Sequence, residues 1–229
     1  MFFKRKKSAE QAEQPVVDTE PTVQEPTTSG PFDIADAPEH DDYLDFGAIL
    51  VKPVEGLGVR MDVEQSNNRV IAISLELLNS RIQLMAFSSS KSGELWPGIR
   101  TNIAKEISAQ KGEIYERESE FGHELLAQVP QQLPDGRQGR VILRFVGFDG
   151  PRWCLRATIG GAALQDEETS NKVDEYLRSV IVNRGEKPMP PAELLPLQVP
   201  KNATASKPEQ ASEGGINPPE RGPEITQIG

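Results

Sequence analysis

Of the 229 residues, 35 are acidic and 25 basic, giving a formal net charge of -10, which argues against a nucleic-acid surface built on basic excess. Cys154 is the only cysteine, which excludes a disulfide framework and a thiol cluster for zinc. No run approaches the roughly 18 apolar residues that a membrane span needs.

The acidity is uneven. Residues 1–42 hold 4 basic and 10 acidic side chains, residues 43–183 hold 16 and 19, and 14 of the 19 prolines lie outside 43–183. Ends so rich in Pro, Glu, Ser, Thr and Gln bury too little apolar surface to offset the entropy of ordering. The expected organisation is a disordered arm over 1–29 with a basic start, a single domain over 30–200, and a disordered tail over 201–229. The start itself, Phe2-Phe3 followed by Lys4-Arg5-Lys6-Lys7, is no secretory signal, because no apolar stretch follows its charges. Against an anionic membrane surface its basic groups contribute about 1 kcal/mol each, a weak contact. The chain is expected to be soluble and cytoplasmic.

From Gly30-Pro31-Phe32-Asp33 onward the pattern changes. Leu44, Phe46 and Leu50 lead to Pro53, and Leu57, Val59, Met61 and Val63 alternate with polar residues. Short turns at Asn67-Asn68 and Asn79-Ser80 lead into two further apolar runs, Val70 to Leu78 and Ile82 to Ala86, which predicts an antiparallel meander. A helix is expected over roughly Glu94 to Gln110, with Trp96, Ile99, Ile103 and Ile107 on one stripe. Ser92 is placed to cap it and Lys111-Gly112 to stop it. Ile114 to Glu120 and Glu124 to Val129 read as strands, and Gln131 to Gln138 as a loop. A second helix is predicted from Asp166 to Asn183, followed by an extended segment to Pro200 whose leucines lie against the domain.

Between these lies a hairpin, Arg140 to Ile159, turning at Asp149-Gly150-Pro151. A three-residue loop puts Val141, Leu143, Phe145, Trp153, Leu155, Ala157 and Ile159 on one face. The other face then carries Arg140, Arg144, Arg152 and Arg156, and because strand side chains alternate, this register separates apolar groups from charge.

Several of these stretches together resemble an uncharacterised actinobacterial domain-of-unknown-function family (family 3710). They are Gly30-Pro31-Phe32-Asp33, Pro53-Val54-Glu55-Gly56, Leu84-Met85-Ala86-Phe87, the helix bearing Trp96, Leu143 to Trp153, and Arg184 to Leu197. The resemblance implies no activity. By element order alone the chain is also similar to Mog1/PsbP-like α+β domains, which carries no function.

Four like charges on one sheet face destabilise each other unless compensated. Glu116, Glu118 and Glu120 on a neighbouring strand, with Glu124, are the expected partners, with Ile142, Val146 and Cys154 buried between under a helix. The functional alternative is an anion or acidic-partner site built from the forked guanidinium groups of Arg140, Arg144, Arg152 and Arg156. Glu113, Glu116, Glu118, Glu120, Glu124 and His123 follow no known metal-loop spacing. His123 accompanies no nucleophile elbow, and Cys154 has no resolving partner. No catalytic residue, metal ligand or cofactor site is therefore assigned.

The expected fold is α+β, an antiparallel sheet of about six to eight strands packed by two helices. The expected function is a non-enzymatic cytoplasmic binding or adaptor domain with an unidentified protein partner and no nucleic acid. The alternative is a small-anion-binding enzyme or hydrolase centred on the arginine face. Sequence leaves the oligomeric state open.

Overall fold

The computed structural model describes residues 30–200 apart from residue 92 and residues 133–135. The predicted arms, and Ser92 with its capping role, lie outside the described residues. The elements run β1 Phe32–Asp33, β2 Leu44–Asp45, β3 Ile49–Val51, β4 Gly58–Glu64, β5 Arg69–Leu77, β6 Ser80–Ser88 and α1 Trp96–Ala109. They continue with β7 Glu113–Ser119, β8 Gly122–Gln132, β9 Gln138–Gly150, β10 Trp153–Gly161, a 3-10 turn at Ala162–Leu164, α2 Glu167–Arg178 and β11 Ile181–Val182.

Seven strands form one antiparallel sheet in the order β4-β5-β6-β10-β9-β8-β7, as the meander and hairpin patterns imply. Residues of β6 alternate between buried and half-buried along its whole length, the period-two signature of a strand. The β5–β6 turn is two residues long, with Leu78 and Asn79 both at positive φ (50° and 57°). That backbone matches the twist of the flanking strands. A second sheet, β1-β11-β3-β2, was not foreseen; its strands are two or three residues long and too short to show a period. It includes a parallel pair, β1 with β11.

Both faces of the large sheet are covered. On one, Trp96, Ile103 and Ile107 of α1 pack on Leu125, Ala127, Phe145 and Cys154. On the other, Val173 and Leu177 of α2, with Ile49, Val51 and Val182 of the small sheet, pack on Val146, Trp153, Leu155, Ala157 and Ile159. The α1 stripe is thus as predicted. Its end is made differently, because the left-handed residue is Lys111 (φ 60°) rather than Gly112. Gly112 serves close approach instead: a Cβ there would lie 2.5 Å from Ile107 and 2.8 Å from the Gln128 carbonyl.

The second helix is shorter than predicted. Asp166 caps α2 through the Thr169 amide (2.8 Å), but the helix ends at Arg178. Val180 and Ile181, inside the predicted helix, lie beyond its end, and Ile181–Val182 becomes a strand between β1 and β3. The segment beyond lies against the domain as expected. Leu195 donates its amide to the Ala86 carbonyl (2.9 Å) and Gln198 to that of Phe46 (2.9 Å).

The hairpin register differs from the predicted one. Gly150 pairs with Trp153 and Ile159 with Arg144, so the loop is Pro151-Arg152, with Arg152 at φ 66°. The three-residue shift reverses the parity between the strands. The predicted register assumed that the arginines lie opposite the Trp153 set, whereas Arg144 is buried on the same face as Trp153 and Leu155, and α1 and α2 cover apolar side chains on both faces. No helix among the described residues is long and apolar enough to cross a membrane.

Candidate functional site

The four arginines do not share a face. Arg140 and Arg144 project on the side of Trp153 and Leu155, Arg156 projects on the side of Phe145 and Cys154, and Arg152 sits in the turn. Arg140 is ion-paired with Glu113 at the sheet's outer end. The Arg152 carbonyl accepts from the Ser89 amide (2.8 Å). Arg156 lies over the Phe87 ring, 5.9 Å from its centroid, beside the Met85 sulfur, and its buried Nε has no hydrogen-bond partner among the described residues. Burial lowers its pKa, and Glu106 offsets this in part. The geometry therefore provides no four-arginine anion site, and the enzyme alternative loses the constellation it was centred on.

Arg144 is the exception that matters. It is 1 % exposed on the otherwise apolar face. Its Nε donates to Glu124 Oε2 at 2.8 Å and its Nη1 to Asp174 Oδ1 at 2.7 Å. The other Glu124 oxygen accepts from Nε of Arg117. Three elements converge here, β8 with Glu124, β9 with Arg144 and α2 with Asp174. Burial acts to lower the Arg144 pKa, but the bonds to Asp174 and Glu124 outweigh it and raise the guanidinium above its ordinary value. Asp174 is raised, chiefly by burial, with Arg144 opposing.

The glutamate partners differ from those expected. Glu116 and Glu118 pair across from Leu125 and His123 on the α1 side, so they do not meet Arg144. Glu120 is ion-paired with Arg178. Of the three residues predicted to be buried together, Val146 is buried on the α2 side and Cys154 on the α1 side, while Ile142 is 45 % exposed. Burial raises the Cys154 thiol pKa, followed by Asp149.

Beside the Arg144 cluster a groove of about 740 Å³ runs between α2 and the part of β7–β9 that no element among the described residues covers. Its floor is Tyr115, directly opposite Leu126, with Ile142 diagonal to Leu126 on β9, and Tyr115 is 53 % exposed. Tyr115 donates its hydroxyl to Glu113 at 3.0 Å. Asp166 and Glu167 line the rim with no ion pair among the described residues, while Glu118 borders the groove from β7 with its side chain on the α1 side. Sequence reasoning missed this groove, because its walls come from residues 115–128, 142–144 and 163–174. The one local signal was Ile142, an apolar residue between arginine-bearing positions.

A second groove, of about 760 Å³, lies at the hairpin's turn. There the Asp149 carboxylate accepts the Leu95 amide (2.9 Å) and the Trp96 amide (3.0 Å), capping α1 from 53 residues away. Trp96 Nε1 donates to the His123 carbonyl (2.6 Å) and Trp153 Nε1 to Asp33 Oδ2 (2.7 Å). Both tryptophan rings are buried, so they offer no stacking surface. Ser88 and Ser89 are buried too. No three His, Cys, Asp or Glu side chains gather as metal ligands among the described residues.

The family model described as "Protein of unknown function (DUF3710)" matches residues 30–206, more than half of the chain. The chain belongs to that family. Its match begins at Gly30, the first residue of the Gly-Pro-Phe-Asp motif, and spans the hairpin, both helices and both grooves. No curated protein and no solved structure matches the chain. Membership in DUF3710 brings no activity.

Proposed function

We propose that the chain is a non-enzymatic, cytoplasmic binding or adaptor domain, and that its docking surface is the groove between α2 and the outer end of the large sheet. One observation carries this reading. The charges at the deep end of the groove are matched to one another, while its floor is left uncovered and its rim carboxylates form no ion pair among the described residues. Arg144 and Arg117 are held by Glu124 and Asp174, which suits a fixed support. The floor exposes Tyr115 and Ile142, and the rim adds the carboxylates of Asp166 and Glu167. An apolar strip beside negative charge fits a peptide that carries aromatic or aliphatic groups next to lysines or arginines.

The edges of the sheet support groove docking over strand addition. β7 is an edge strand and carries Glu113, Glu116, Arg117 and Glu118, charges that blunt pairing with another chain.

Titrating the full chain with three synthetic octapeptides, cationic-aromatic, neutral-aromatic and acidic, tests the reading. Amide resonances of Tyr115, Leu126 and Ile142 are expected to move with the cationic-aromatic peptide and stay put with the acidic one. Equal shifts from all three, or none from any, would sink it. So would turnover of any screened substrate that is lost in His123→Ala or Glu118→Gln.

A further inference from the structure

The structure and the sequence together point to an occupant of this groove: we propose that the chain's own basic start, Phe2 to Lys7, docks there and competes with outside ligands. The inference rests on the groove being the docking surface proposed above.

Charge selects the segment. Lys4-Arg5-Lys6-Lys7 is the only run of four basic residues in the sequence, and residues 8–42 contain no lysine or arginine at all. Asp166 and Glu167 on the rim repel the acidic stretch that follows the start and attract the start itself. Apolar matching selects it again. Phe2 and Phe3 adjoin the basic run directly, as the Tyr115–Leu126–Ile142 floor adjoins the acidic rim. Placing two phenyl rings on that floor covers the large apolar side chains left exposed there.

Reach is sufficient. The 22 residues from Ser8 to Ser29 span at most about 75 Å fully extended and roughly 25 Å as a coil, against a radius of gyration of about 15 Å for a domain of this size. A tether of this kind holds its end at an effective concentration on the order of 1 mM. An anionic membrane competes for the same residues, but four basic groups without a second anchor hold it weakly.

The test compares the full wild-type chain with a full-length variant carrying Phe2→Ser, Phe3→Ser, Lys4→Ser, Arg5→Ser, Lys6→Ser and Lys7→Ser. The probe is a synthetic peptide, Phe-Phe-Lys-Arg-Lys-Lys. For a short peptide with a Kd of about 0.1–0.5 mM, the tethered copy should weaken probe binding to the wild type about threefold to tenfold relative to the variant. Wild-type resonances of Tyr115, Leu126 and Ile142 should sit, without probe, close to where the variant arrives at saturation. Their positions should not change with protein concentration.

Equal probe affinity for both chains overturns the tethered occupant and leaves the groove reading intact. Probe binding to neither chain overturns both. Positions that move with protein concentration assign the segment to a second copy and overturn the intramolecular contact. Vesicles of phosphatidylserine and phosphatidylcholine that bind the wild type without moving the groove resonances should be matched by equal probe affinities. Together, those two results assign the start to the membrane and overturn the proposal.

Discussion

At its turn, the β9–β10 hairpin is held by rings seated on glycines; at its open end it is held by charges. Trp96 lies so close over Gly147, and Trp153 over Gly150, that a Cβ at either glycine would come within 2.0–2.2 Å of the ring. The polar contacts there are hydrogen bonds with no ion pair among the described residues, Trp153 Nε1 to Asp33 and the Leu95 and Trp96 amides to Asp149. At the far end, beside the still buried Ile159, an ion network of two arginines and two carboxylates joins the apolar packing. Apolar packing tolerates no added atom but needs no partner. The ion network tolerates space, which the groove provides, but each member depends on the others.

The largest effect should come from breaking the network at its centre. Arg144→Met leaves Glu124 and Asp174 buried with only Arg117 near them, and should cost about 3–5 kcal/mol in urea denaturation. Removing the stranded carboxylates as well, in Arg144→Met/Glu124→Leu/Asp174→Leu, should recover most of that loss. If the triple variant is less stable than Arg144→Met, the cluster is not a mutually dependent unit and the contrast with the turn fails. At the turn, Gly147→Ala should cost about 1–3 kcal/mol by overpacking, because Trp96 has to move off its seat. A loss within experimental error would show that the ring has room.

The two ends were unequally legible. Trp153, Leu155, Ala157 and Ile159 read as one buried face of a strand, and Trp96, Ile103 and Ile107 as one helix stripe, because each pattern is complete within one element. The register of the hairpin was not legible. Placing Arg144 on a charged face with Arg156, apart from the Trp153 set, follows from the cost of burying a charge. What offsets that cost is Glu124, 20 residues away, and Asp174, 30 residues away. The cap of α1 hides in the same way, since Asp149 reaches it across the sheet from the hairpin. Ile181–Val182 continued the helical pattern of α2 and became a strand only because β1 and β3 bracket it. Groove and ion cluster alike are made by three elements meeting, and no local period reports that.

A smaller effect separates the ends by pH. The Asp174 carboxyl titrates above its unfolded value, chiefly because it is buried. Its contribution to stability is therefore fully present below the unfolded aspartate pKa of about 3.9 and is lost as pH rises through the folded value. Relative to Asp174→Asn, which binds no proton, the wild type should gain stability as pH falls across that window. Gly147→Ala measured against the wild type should show no such trend, since neither side chain titrates. Denaturation midpoints of the three chains at about pH 7 and near pH 4 decide it. A wild-type-minus-Asn difference that stays flat or runs the other way removes Asp174 from the account.

The smallest effect on stability is expected where function is proposed. Ile142 sits on the groove floor, 45 % exposed, at the open end of the hairpin. Ile142→Ser should change stability by no more than about 0.5–1 kcal/mol, as for a surface position. It should nonetheless weaken binding of the cationic-aromatic peptide about fivefold or more, through the apolar contact it removes. Stability and binding would then divide between the two ends: substitutions at the turn unfold the protein without defining a ligand, and substitutions on the floor lose the ligand without unfolding the protein. If Ile142→Ser instead costs as much stability as Gly147→Ala, Ile142 belongs to the core, the floor is not a vacant surface, and the groove loses its claim as a docking site.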